Sequence, residues 1–211
     1  MTDKFETEQE AFWAGEFGDE YVDRNKDPRR VARRTALFAK ILSRTRQVSE
    51  ILELGANIGQ NLLAIRNLLP DAAFGAIEIN EKAVKTLQRI ERVKVFRGSI
   101  LDFTPADLGQ YDLTLTSGVL IHIDPEHLPT VYSRLYESSR KYLLIQEYYN
   151  PTPVEVLYRG HSRRLFKRDF AGEMLASYPD LELIDYGFQY HGDYNFPADD
   201  GTWFLMKKNG A

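Results

Sequence analysis

Ile51-Leu52-Glu53-Leu54-Gly55-Ala56-Asn57-Ile58-Gly59 begins as an apolar strand, passes a carboxylate and a glycine-bearing turn, and runs into a helix. Glycine adds no side-chain bulk and takes positive φ freely, so a ligand can lie against the bare backbone of such a turn. The free N–H groups at the start of the following helix then point at that ligand.

From Val48 onward, short strands alternate with helices, which is the signature of a parallel sheet covered on both faces. The pattern predicts strands over 49–54, 73–79, 93–96, 111–116 and 142–146. Helices are expected over 58–69, closed by Pro70, over 81–91 and over 168–178. A further helix has Asp124 as N-cap and Pro125 at its first position, with Leu128, Val131, Tyr132 and Leu135 as its apolar face. Two β-rich runs, 181–190 and 202–207, are joined by a Gly/Asp/Asn/Pro loop and read as a hairpin. No internal repeat is present.

Residues 1–46 read as a separate helical cap. Phe5, Phe12, Trp13, Phe17 and Tyr21 crowd a short polar segment in which Gly15 and Gly18 sit beside aromatics. That suits either a helix docked on the core or a hinged lid over a ligand. A second helix starts with Asp27 as N-cap and Pro28 at the first position, and Val31, Phe38, Ile41 and Leu42 form its stripe. Arg29, Arg30, Arg33 and Arg34 crowd its first turns, either as a solvated face or as a reader of an anionic ligand.

The 211 residues fit one domain with an appendage, and 43% hydrophobic with 27% charged residues is ordinary globular composition. A net charge of −4 argues against a nucleic-acid partner. There is no cysteine, which removes disulfides, thiolate nucleophiles and cysteine metal sites. The start, Met1-Thr2-Asp3-Lys4-Phe5-Glu6, is polar and unlike a secretory signal, and no apolar run approaches the ~20 residues of a membrane span. A cytoplasmic protein with a small-molecule partner, and neither nucleic acid nor membrane, is expected. Its oligomeric state stays open.

In a doubly wound sheet, ligands bind outside the carboxyl ends of the strands. The first strand ends in Glu53 and the turn. The second ends in Glu78, about 20 residues on, where a carboxylate can accept both hydroxyls of a ribose. The third is followed by Gly98-Ser99-Ile100, whose backbone can meet an adenine edge. The fourth is followed by Ser117-Gly118 and, after the three apolar residues Val119, Leu120 and Ile121, by His122. A dinucleotide site needs Gly-x-Gly-x-x-Gly, but Asn57 stands at the central glycine and Glu53 would repel a pyrophosphate. Beside a cationic amino acid the same carboxylate is favourable. A nucleoside carrying an ammonium and a sulfonium, S-adenosyl-L-methionine, fits.

Glu53-Leu54-Gly55-Ala56-Asn57-Ile58-Gly59 resembles the first motif of class I S-adenosylmethionine-dependent methyltransferases, and the likeness extends over roughly residues 45–208. It implies a Rossmann-like α/β fold with a mostly parallel seven-stranded sheet of order 3-2-1-4-5-7-6 and helices on both faces, over residues 47–211. It also implies cofactor contacts at Glu53, Gly55, Ala56, Asn57, Gly59, Glu78, Ile79, Gly98, Ser99, Ile100 and Ser117. Asn57 departs from the usual glycine, but asparagine tolerates positive φ best among the other residues.

Narrower stretches resemble the methylases associated with pseudaminic-acid pathways: residues 12–21, Glu147-Tyr148-Tyr149-Asn150-Pro151, Tyr158-Arg159-Gly160-His161-Ser162 and Phe166-Lys167-Arg168-Asp169-Phe170. That likeness implies a bacterial cytosolic enzyme acting on a small polar molecule such as a sugar intermediate; the arginines of the 158–164 loop suit an anionic acceptor, and O- or N-methylation is expected. His122 is the candidate base, because it follows the fourth strand; the plainer reading is a histidine that packs or caps the next helix. His161 is the alternative, in an arginine-rich loop suited to anions. Tyr21, Tyr149, Asn150, Tyr158, Arg159 and Arg163 are candidate acceptor contacts. Tyr148 and Tyr149 point opposite ways on a strand, so only one should face the site. The histidines are scattered and imply no metal. A non-catalytic nucleoside-binding module and a nicotinamide-dependent oxidoreductase are the competing readings.

Overall fold

A computed structural model of the chain describes residues 5–25 and 27–210. The polar opening residues 1–4 lie outside the described residues, as do Lys26 and Ala211. Seven strands form one sheet: β1 Glu50–Leu54, β2 Ala73–Glu78, β3 Val93–Arg97, β4 Tyr111–Ser117, β5 Ser139–Glu147, β6 Leu181–Phe188 and β7 Thr202–Lys208. Their spatial order is β3-β2-β1-β4-β5-β7-β6, parallel except for the two antiparallel pairings of β7. This is the expected order. The chain departs from the expectation in two further strands, Val154–Glu155 and Phe166–Lys167, which pair antiparallel as a small ribbon after β5.

β1 lies inside the sheet between β2 and β4, and only a strand that is apolar on both faces can be buried there. Ile51 packs into the core on one face, with Phe38, Leu62, Leu113 and Trp203. Leu52 and Leu54 pack into the core on the other, with Leu120, Val131, Leu143 and Met174. Each such buried aliphatic contributes about 1.5–3 kcal/mol. That total offsets the one residue of β1 that is costly to bury, Glu53, which is 1% exposed.

Ahead of the sheet run α1 Glu8–Ala14, α2 Glu16–Arg24 and α3 Arg29–Leu42. Thr7 and Glu10 form a capping box that starts α1, and Gly15 both ends α1 and begins α2. Asp27 Oδ1 accepts the Arg29 N–H at 3.0 Å. Pro28 has helical backbone angles, as a first-position proline should, and the hydrogen-bonded helix follows from Arg29. Its buried stripe is Leu37, Phe38 and Ile41, with Val31 and Leu42 only partly buried against the same core.

The remaining helices are α4 Gln60–Arg66, α5 Glu81–Leu87, α6 Pro105–Leu108, α7 Leu128–Glu137 and α8 Phe170–Ser177. α4 and α5 are shorter than expected because their last turns tighten into i→i+3 bonds, Leu68 N–H to Ile65 O and Ile90 N–H to Leu87 O. Asp124 caps a 3₁₀ turn, Pro125–His127, which leads into α7. Among the described residues, no helix is long and apolar enough to cross a membrane.

Between β1 and β4 the connections diverge to opposite sides of the sheet. Leu54 is level with Ile77 of β2 and Thr116 of β4, so three strands open into one crevice at their carboxyl ends.

Candidate active site

The crevice is built from the 55–59 turn. Gly55 takes φ +74°, and a Cβ on it would come within 2.5 Å of Val119 Cγ2. Asn57 adopts positive φ (49°), and its N–H donates to Glu78 Oε2 at 2.6 Å. The Asn57 side chain accepts the Ile58 N–H at 2.7 Å and so stabilises the bend that glycine usually makes. Glu78 Oε1 accepts the Asn80 N–H at 2.7 Å. Burial raises the Glu78 pKa, and these amide bonds oppose that rise. After β3, Ser99 Oγ accepts the Leu101 N–H and Asp102 accepts the Ser99 N–H, which fixes the 98–100 loop.

The resulting cleft has a volume of about 1120 Å³ including its open mouth. Glu53, Gly55, Ala56, Asn57, Glu78, Ile79, Gly98, Ser99, Ile100 and Ser117 all line it. Gly59 does not. Its φ is +78°, and a Cβ there would meet Ile90 Cδ1 at 2.6 Å and Leu87 Cδ2 at 2.9 Å. Gly59 serves the packing of α4 against the end of α5 rather than a ligand.

Four polar atoms sealed from solvent in the cleft's lining residues have no hydrogen-bond partner among the described residues: Glu53 Oε2, Asn61 Oδ1, Trp13 Nε1 and Arg34 Nε. Each unpaired group of this kind costs about 1–3 kcal/mol. Glu53 Oε1 holds Asn61 Nδ2 at 2.6 Å. Burial pushes the Glu53 carboxyl up to about 8, with Asn61 and the Arg34 charge pulling it down and Glu78 adding to the rise. Arg34 as a whole is only partly buried, yet its surroundings lower its pKa through desolvation, with Glu53 opposing. Two acceptors, one of them acidic, and two donors, one of them cationic, suit a ligand end that carries both an ammonium and a carboxylate.

A second cavity adjoins the first, lined by Arg30, Arg33, Glu147, Tyr148, Tyr158, Gln189 and Asp199 among others. Tyr21, Arg34, Ser117, Gly118 and His122 line both cavities. The His122 Nδ1–H donates to Arg164 O at 2.5 Å, and the carbonyl acceptor fixes that tautomer and leaves Nε2 as a bare acceptor. Its ring lies between Trp13, centroids 4.6 Å apart, and Tyr158, 5.0 Å apart. Burial pushes its pKa down to about 4, so the ring is neutral at physiological pH.

α1 and α2 roof the cleft. Asn80 Nδ2 donates to Asp19 Oδ1 at 2.9 Å and to Trp13 O at 3.3 Å, and Lys82 pairs with Asp23 at 2.6 Å.

Several expected acceptor contacts stand elsewhere. His161 is exposed, with its ring against Phe12 and Phe17, and it lines neither cavity. Tyr149 is 43% exposed and lies against Phe204, while Tyr148 faces the second cavity. Asn150 turns to Thr152. Arg159 and Arg163 are exposed, and Arg163 pairs with Asp124 at 3.2 Å. The cause is the small ribbon, which carries the 157–163 segment outward as a hairpin tip. Tyr21 and Tyr158 do line the second cavity, but its cations come from α3. Trp13, Arg34, Asn61 and Tyr148 were not among the expected contacts. The arginine cluster signalled Arg34, the aromatic segment Trp13, and strand alternation Tyr148; Asn61 left no signal in the sequence.

Residues 52–141 match a family model described as a methyltransferase domain. No curated protein matches the chain. Among solved structures, the magnesium protoporphyrin IX methyltransferase ChlM from Synechocystis PCC 6803, with bound S-adenosylmethionine, superposes with a TM-score of 0.68. It is 12% identical, over 99% of this chain and 100% of that one. The 1,6-didemethyltoxoflavin-N1-methyltransferase of Burkholderia thailandensis gives 0.67, at 18% identity over 94% and 88%. The plantazolicin methyltransferase BpumL gives 0.66, at 13% identity over 95% and 94%. These likenesses establish the class I methyltransferase fold. The domain match takes in the turn, Glu78, the 98–100 loop and Ser117. The fold is that of class I methyltransferases, and the strand ends that build the cleft fall within the stretch that matches a methyltransferase domain.

Proposed function

We propose that the protein is an S-adenosylmethionine-dependent methyltransferase that methylates an oxygen or nitrogen of a small polar molecule seated in the second cavity. The observation that carries this reading is the shared wall: Tyr21, Arg34, Ser117, Gly118 and His122 line both cavities, so a methyl donor in one meets an acceptor in the other there. The sulfonium of the cofactor supplies the methyl group, and the protein's part is alignment, exclusion of water and removal of a proton.

Glu53 and Asn61 hold the cofactor's ammonium, and Arg34 and Trp13 its carboxylate, which gives all four unpaired atoms a partner. Glu78 accepts the ribose hydroxyls with the lone pairs its amide bonds leave free, and the 98–100 loop frames the adenine. His122, held neutral, takes the acceptor's proton on Nε2 as the new bond forms. Trp13 and Tyr158 flank the ring and keep water off it. α1 and α2 act as a lid hinged at Gly15.

Arg30 and Arg33, with the phenols of Tyr21, Tyr148 and Tyr158, favour an acceptor that is hydroxylated and anionic. The likeness to pseudaminic-acid-associated methylases supports a sugar-derived acid in the cytoplasm. Incubation with methyl-labelled S-adenosylmethionine and fractionated cell extract tests this. Label should enter the low-molecular-weight fraction with wild type and not with His122→Ala. Label only in macromolecules, or in nothing, refutes it.

A further inference from the structure

Glu147 ends β5 in the wall of the second cavity, yet its carboxylate is bound to the turn that follows β4. Oε1 accepts the N–H of Val119 at 3.0 Å and of Leu120 at 3.1 Å, and the Thr116 hydroxyl at 3.4 Å. Oε2 accepts the Ile121 N–H at 3.4 Å. The single 3₁₀ turn Leu120–His122 has no side-chain cap from its own N-cap residue. The first N–H groups of any helical turn need outside partners, and here a carboxylate from a distant strand supplies them.

Two parts of the site hang on that turn. Val119 carries the methyl groups that pack where Gly55 has no Cβ. His122 is its last residue, 8% exposed, with its ring fixed to Arg164 O. A glutamine could not replace the carboxylate, because its NH₂ would face an N–H where an acceptor is required.

We infer that Glu147 is a positioning residue for methyl transfer: by holding the N–H groups of Val119, Leu120 and Ile121, it sets His122 towards the acceptor and Val119 against the cofactor turn. It contacts neither ligand for this purpose. The inference rests on the reading of His122 as the base.

The test uses the full chain saturated with S-adenosylhomocysteine, labelled with ¹⁵N and observed by NMR, with ring signals of the four histidines assigned by His122→Asn. Wild type should show a slowly exchanging His122 Nδ1–H. In Glu147→Ala that signal should be lost, and amide protection at residues 119–121 should fall more than about tenfold while that of β1 and β2 is unchanged. Glu147→Gln, a smaller perturbation should the alanine variant not fold, should shift the His122 signals and lower the same protection. A His122 signal and 119–121 protection that match wild type in either folded variant overturn the positioning role, even if melting temperature falls. Failure of the wild-type chain to bind S-adenosylhomocysteine would instead sink the functional reading beneath it.

Discussion

The Asn57 N–H donates to Glu78 Oε2 at 2.6 Å, so the turn after β1 and the acid that closes β2 form one unit. Asn57 stands where the motif it resembles has glycine, and its positive φ is held by this bond and by its own side chain on the Ile58 N–H. The residue that departs from the motif is thus tied to the residue that the motif most needs.

Glu78→Ala removes a ribose acceptor and leaves the N–H groups of Asn57 and Asn80 unpaired in the cleft floor. Each unpaired amide costs about 1–3 kcal/mol. The expected outcome is a loss of S-adenosylhomocysteine affinity of more than about tenfold by calorimetry, with circular dichroism unchanged. Wild-type affinity in this variant would remove Glu78 from the site.

Glu53 makes binding depend on pH. Its carboxyl is raised to about 8 in the free protein, so it is mostly protonated at pH 7 and must ionise to meet an ammonium. Affinity for S-adenosylhomocysteine should rise between about pH 6 and 8, with proton release visible as buffer-dependent binding heats. The same raised pKa means that the folded state binds the proton more tightly than the unfolded one. Its contribution to stability is full below the unfolded value of 4.5 and is lost as pH rises through about 8. Glu53→Gln should flatten both dependences; an unaltered pH profile of affinity would show that Glu53 does not ionise on binding.

Gly55 and Gly59 should separate under substitution. Both have positive φ, so alanine strains both by about 1 kcal/mol. At Gly55 the new methyl displaces Val119 beside the ligand, and at Gly59 it displaces Ile90 and Leu87 in the core. Gly55→Ala should weaken cofactor binding more than about tenfold. Gly59→Ala should lower the melting temperature by roughly 2–10 °C and leave affinity within about threefold. The reverse pattern would return Gly59 to the ligand.

His122→Ala should bind S-adenosylhomocysteine normally yet slow transfer to the acceptor about 10²–10⁴-fold, the range for a lost general base. His161→Ala, removed from both cavities, should turn over as wild type. Wild-type turnover by His122→Ala would reduce His122 to a packing residue.

Most of the fold was legible because β1, β2 and β4 are short apolar strands between helices, and the final hairpin announces itself in Gly, Asp, Asn and Pro. The cofactor cleft was legible for a related reason: backbone turns and the acids Glu53 and Glu78 at the ends of β1 and β2 have local signatures. The acceptor cavity was not. Its cations come from α3 and its phenols from α2, the residue after β5 and the hairpin between the ribbon strands, which meet only through tertiary packing. Strand alternation said that one of Tyr148 and Tyr149 faces the site, and which one depends on the register of β5 against β7. The ribbon of two-residue strands is too short to leave a periodicity, yet it is what carries Arg159, His161 and Arg163 away.

The decisive measurement is a calorimetric comparison of three ligands on one preparation: S-adenosylhomocysteine, 5′-methylthioadenosine, which lacks the amino-acid end, and NADH. If Glu53, Asn61, Arg34 and Trp13 hold a zwitterion, S-adenosylhomocysteine should bind about a hundredfold tighter than methylthioadenosine, a difference of ~2.7 kcal/mol. That gap should close in the double variant Glu53→Gln, Arg34→Ala, and NADH should give no heat. Equal binding of the two adenosine compounds to wild type, or tight binding of NADH, would contradict it.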